Sequence, residues 1–153
     1  MKRFSLRTAA LAALLAFGGA AQAADSANLG VTANVVGNCQ ILSTTPVDFG
    51  TLDPASTVDA TGAGAVSFWC TKNATFTLSM NDGLNADGGV RRMKGPGATD
   101  FIAYNLTAAS TSGQGQGRTS PLNVAVNGLV AAANYADAAV GAYSDTVVIS
   151  ITP

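Results

Sequence analysis

Two cysteines, nine aspartates and the basic cluster Arg91, Arg92 and Lys94 are the residues of this chain whose types could do chemistry. The inventory is thin. Histidine and glutamate are both missing from all 153 residues, which removes Ser-His-Asp and Cys-His catalysis, histidine-ligated metals and the usual glutamate acid. Cys39 and Cys70 have no histidine or further thiol to complete a zinc site. Two aspartates could share a proton, but Asp48, Asp53, Asp59, Asp82, Asp87, Asp100, Asp137 and Asp145 fall in or beside turn-forming stretches. There a solvated turn residue is the expected role.

The remaining candidates resolve the same way. "NDGLNADGG" (81–89) lacks the alternating oxygen ligands and terminal glutamate of a calcium loop, and reads as a hairpin tip. "GQGQG" (113–117) lacks the strand-to-helix setting of a phosphate-binding loop, and reads as flexible loop. Arg91, Arg92 and Lys94 read as a solvated strand face that resists aggregation rather than a polyanion patch. No catalytic, cofactor-binding or metal residue is assigned, and no enzyme activity is expected.

The N-terminus sets the compartment. Lys2, Arg3 and Arg7 precede the apolar run "AALAALLAF" (9–17), and "AQA" (21–23) supplies the small residues of a cleavage site. That run is too short to span a membrane, so 1–23 is expected to be a removed secretory signal. The mature chain, expected to be soluble and exported, then keeps five of the eight basic residues against nine acids, a net charge of −4. An acidic surface argues against nucleic acid as a partner. Export places Cys39 and Cys70 in an oxidising compartment, where an even count reads as a disulfide.

The elements that must position these residues read as β throughout. "NLGVTANVVGNC" (28–39) alternates Leu29, Val31, Ala33 and Val35 against Gly30, Thr32, Asn34 and Val36, the period of a half-buried strand. Strands are also expected over 39–43, 47–50, 65–71, 75–80, 101–107 and 143–153, with a short stretch at 90–94. Loops are expected over 51–64, 81–89 and 109–120, and Asn127-Gly128 within 121–130 carries a tight-turn signature. About seven strands without a helical stripe predict a single all-β domain, an antiparallel sandwich.

An ordered set of motifs then becomes visible: the alternating segment before "NCQI" (38–41), "VDFGTLDP" (47–54), "FWC" (68–70), "RRMKG" (91–95), "IAYNLT" (102–107) and "GAYSDTVVISITP" (141–153). In this the chain resembles the spore coat protein U domain family, which includes pilins of archaic chaperone–usher pili. The Gly/Gln-rich stretch at 113–117 and Pro153 depart from that pattern.

The resemblance implies an immunoglobulin-like sandwich, incomplete because it lacks its final strand, over 38–153, preceded by a donor-strand extension at 24–37. Leu29, Val31, Ala33 and Val35 would be the donated side chains. Ile41, Val147, Ile149 and Ile151 would line the acceptor groove. The implied partners are a periplasmic chaperone, an outer-membrane usher and neighbouring pilin subunits, with the cell surface as destination. That the chain stops just after its last strand fits the same expectation. The competing expectation is a self-contained secreted or coat-associated binding module, with 28–36 folded back into its own groove.

Overall fold

The computed structural model describes residues 24–153, which fall into two units, 24–33 and 34–153. The expected leader lies outside the described residues. Residues 24–33 form no regular secondary structure, and Leu29 and Val31 are 89% and 86% exposed. Residues 34–38, with Val35 81% exposed, are not strand either. The strand expected over 28–36 is therefore not formed.

The second unit is an antiparallel sandwich. One sheet orders β1 (Cys39–Asp48), β2 (Ala60–Cys70), β8 (Leu122–Val130) and β6 (Asn105–Ala108) as β1-β2-β8-β6. The facing sheet runs β7-β3-β9, from β7 (Ser112–Gln114), β3 (Thr75–Met80) and β9 (Ile149–Thr152). β4 (Arg92–Lys94) and β5 (Phe101–Ala103) form a small hairpin. The alternation read from sequence drives this arrangement. Val66, Phe68 and Cys70 of β2 and Val124 of β8 bury against Phe76 and Leu78 of β3. Phe68 meets Phe76 edge-on at 4.9 Å between ring centres. A second cluster gathers Ile102, Tyr104, Val130 and Tyr135 at the far end.

Several expected boundaries moved. Asn127 and Gly128 make no turn; they lie within β8, which pairs on both sides, Gly62 and Leu106 both facing Gly128. Gly128 serves close approach instead: a Cβ there would come within 2.6 Å of the Phe49 ring. β2 begins at Ala60, inside the expected loop, because Gly62 and Gly64 let the bulged end of β1 press against it. The expected loop 109–120 contains β7, which pairs with β3. The run 101–107 divides at Tyr104, giving β5 to the hairpin and β6 to the large sheet. Only Ile149–Thr152 of the final run is paired as strand.

The two flanks of the sandwich differ. Between β6 and β7 the chain crosses from one sheet to the other and bonds to both. The Ala109 amide donates to the Ala125 carbonyl, and the Leu78 amide to the Thr111 carbonyl. The opposite flank has β1 at the edge of one sheet and β9 at the edge of the other, each paired on one side only.

Candidate functional site

An open groove of about 490 Å³ lies on the β1/β9 flank. Its walls are mostly apolar, with Ile41 and Val47 from β1, Leu106 and Val126 from the sheet behind, and Val147 and Ile149 from the opposite edge, interrupted by Thr44, Thr45 and the 144–146 stretch. Of the four residues expected to line such a groove, Ile41, Val147 and Ile149 do so. Ile151 packs against the core cluster around Phe68 and Phe76 and is not among the lining residues. A second hollow of about 540 Å³ continues past Val47 and Phe49, under residues 135–143. An unpaired strand edge beside exposed apolar surface is a template for another strand.

Cys39 and Cys70 are joined by a disulfide, as expected from export and the even count. They are also directly opposite in the β1–β2 register, so the bridge clamps the first pair of the edge strand beside Ile41.

The wall carrying Val147 is not held by strand pairing. Ser144 and Lys94 exchange backbone hydrogen bonds. The Asn81 amide donates to the Val148 carbonyl, and the Val148 amide donates to Asn81 Oδ1. Asp145 supplies the rest: it accepts from the Tyr104 hydroxyl at 2.7 Å, the Leu84 amide at 3.0 Å and Asn85 Nδ2 at 3.0 Å. Partial burial works to raise the Asp145 pKa, but the Tyr104 hydroxyl and the Thr146, Leu84 and Asn85 amides outweigh it and hold it below the usual carboxylate value. Burial, then the hydrogen bond and charge of Asp145, push the Tyr104 phenol up; Arg91 opposes this.

The reading of Asp145 as a solvated turn residue is thus corrected. The usable signal was Tyr104: an inward-facing tyrosine needs a partner for its hydroxyl. The basic cluster is corrected in part. Arg91 donates to the Met80 and Asn81 carbonyls, and Arg92 donates to the Asn85 carbonyl and Asp87 while stacking over Phe101. Only Lys94 keeps an exposed side chain. Among the described residues no cluster of three His, Cys, Asp or Glu could hold a metal.

Comparison with known proteins adds three findings. The Spore Coat Protein U domain profile matches residues 25–150. "Protein U" of Myxococcus xanthus is 36% identical over 168 aligned positions, covering 94% of this chain and 93% of that protein. A solved structure, the CsuC–CsuE chaperone–tip adhesion subunit pre-assembly complex from archaic chaperone-usher Csu pili of Acinetobacter baumannii, includes a chain 25% identical to this one. That match covers 76% of this chain and 40% of that one, at a TM-score of 0.49.

Proposed function

Because the chain belongs to the spore coat protein U domain family, we propose that it is a structural subunit of a surface pilus that polymerises by donor-strand exchange. The observation that carries this reading is the groove between two half-paired edges, β1 and β9. The exposed row Leu29, Val31, Ala33 and Val35 matches it in chemistry. Given by one copy to the next, these side chains would add up to about 4–10 kcal/mol by burial, with main-chain hydrogen bonds to the edges in addition.

The same groove explains the need for a periplasmic chaperone, since Ile41, Val147 and Ile149 invite aggregation until covered. A partner that binds only the folded form also stabilises it by mass action. An outer-membrane usher would then exchange chaperone for subunit, delivering the fibre to the cell surface for adhesion and biofilm formation. The test is a non-reducing gel of the secreted protein loaded without boiling. A ladder that collapses to monomer on boiling is the expected result; a single monomer band in both lanes would sink the polymer reading. The family description favours one further reading, a coat layer built by the same strand exchange, which microscopy of sheared surface material would separate from free fibres.

A further inference from the structure

Most of the exposed charges of the sandwich that make no ion pair are sorted to opposite ends, Lys94 being an exception. At the end where β1 begins and β9 finishes lie residues 34–38, 71–74 and 115–121. The Asn73 amide donates to the Gly115 carbonyl and the Gly117 amide to the Cys70 carbonyl, while the Thr71 hydroxyl donates to the Val36 carbonyl. These segments carry Lys72 and Arg118, both exposed, and no aspartate. Arg118 lies over the Trp69 ring, and Gly117 stands against Lys72.

At the other end, where β1 finishes and β2 begins, lie residues 48–59 and 131–143. They are joined where the Ala132 amide donates to Asp59 and the Tyr135 hydroxyl donates to the Val58 carbonyl. These carry Asp48, Asp53, Asp59 and Asp137, all exposed; exposed Lys94, whose backbone bonds to Ser144 beside them, offsets one of the four charges and leaves this end acidic. The ion pairs among the described residues, Arg91–Asp82 and Arg92–Asp87, involve neither end. The eleven residues of β2 separate the ends by roughly 33 Å. That is several times the screening length of about 8 Å in physiological salt. Within one molecule the two ends do not compensate each other.

We infer that the basic end of one copy docks on the acidic end of the next, Lys72 and Arg118 facing Asp48, Asp53, Asp59 and Asp137. The inference rests on the polymer reading and adds a contact outside the groove. Residue 36 leaves its own body at the basic end, tied there through Thr71. A segment filling a neighbour's groove from end to end can leave it at either pole. Leaving at the acidic pole brings opposite charges together, whereas leaving at the basic pole sets Lys72 and Arg118 against their own copies. Charge therefore favours one direction of insertion, with 28–36 running parallel to the acceptor's β1, and rejects the other. Exposed charges of this kind act chiefly on encounter and on salt dependence.

The experiment follows fibre growth of the purified full mature chain by light scattering, in low salt and in about 0.5 M NaCl. Wild type is expected to grow about tenfold faster in low salt. Lys72→Glu with Arg118→Glu should lose that advantage and grow faster in high salt, where like charges are screened. Asp48→Asn, Asp53→Asn, Asp59→Asn and Asp137→Asn together keep the acceptor oxygens and remove the charge, and should flatten the salt dependence. Adding Asp53→Lys and Asp137→Lys, with Asp48→Asn and Asp59→Asn, to the reversed basic pair places positive charge opposite negative again and should restore the wild-type response. Monomer melting, measured alongside, excludes variants that fold poorly. Fibres that form in every variant at the same rate and without salt dependence would overturn the pole-to-pole contact and leave strand exchange standing. No fibres from wild type would remove the polymer reading and this contact with it.

Discussion

The Tyr104 hydroxyl donates to Asp145 Oδ2 at 2.7 Å across 41 positions of sequence. Through it the wall of the groove is tied to the buried cluster of Ile102, Val130 and Tyr135. Tyr104→Phe keeps the ring and removes the donor, so it is expected to cost about 1 kcal/mol, the net worth of one hydrogen bond. Asp145→Ala strands the Leu84 and Asn85 donors as well and should cost more, about 2 kcal/mol. Urea unfolding measures both; an order in which the tyrosine variant suffers more would contradict the assignment.

The same pair gives stability a pH signature. Asp145 titrates lower folded than unfolded, so its contribution is complete above about pH 4 and is lost as pH falls through its lowered value. Tyr104 titrates higher when folded, so its contribution is complete below about pH 10 and is lost as pH rises beyond that. Melting temperature against pH should show both limbs in wild type. In Tyr104→Phe the alkaline limb should shrink and the acid limb move to higher pH. Superimposable profiles would refute the coupling.

Gly128 is placed for contact rather than for turning. A methyl group there would meet the Phe49 ring at 2.6 Å and Val47 Cγ1 at 2.7 Å. Gly128→Ala is therefore expected to destabilise by about 1–3 kcal/mol through overpacking. Chemical denaturation reads the loss directly, and an unchanged midpoint would mean that Phe49 and Val47 give way freely.

Reduction should act on the groove before it acts on the fold. The Cys39–Cys70 bridge spans a sequence separation of 31, and its loss is expected to cost roughly 3–4 kcal/mol in the chain-entropy account. Because it clamps the outermost pair of an edge strand, amide exchange in the double Cys→Ser variant should rise first at Gln40 and Ile41. Uniform loss of protection throughout both sheets would contradict this local role.

Charge in the donated row should separate folding from assembly. Val31→Asp or Val35→Asp would bury an unpaired carboxylate in a neighbour's groove and is expected to abolish fibres. Monomer stability should stay within about 0.5 kcal/mol of wild type, because both positions are exposed. Normal fibres from Val31→Asp would refute the donor assignment. A monomer that no longer folds would mean that the strand serves its own chain.

The amino-acid sequence by itself determined the fold class, the pairing of its two cysteines and most of the inward-facing core. Phe76 and Leu78 alternate with threonine and serine, Val66, Phe68 and Cys70 recur at every second position, and a period of two is a local property that burial must obey. The family resemblance, rather than the alternation, pointed to Ile41, Val147, Ile149 and Ile151 for the groove, and the first three lie along the hollow. Where strands stop and whom they join depended on partners far along the chain. Asn127-Gly128 carries local turn chemistry, yet β2 and β6 bind it from both sides and hold it extended. Residues 145–148 carry β-branched propensity but stay out of the sheet, held by Asn81 and Asp145. The sorting of free charge to two poles was invisible for the same reason. Residues 48, 59 and 137 become neighbours only when β1, β2 and β8 are laid side by side, because tertiary pairing, not proximity in sequence, decides which charges share a surface.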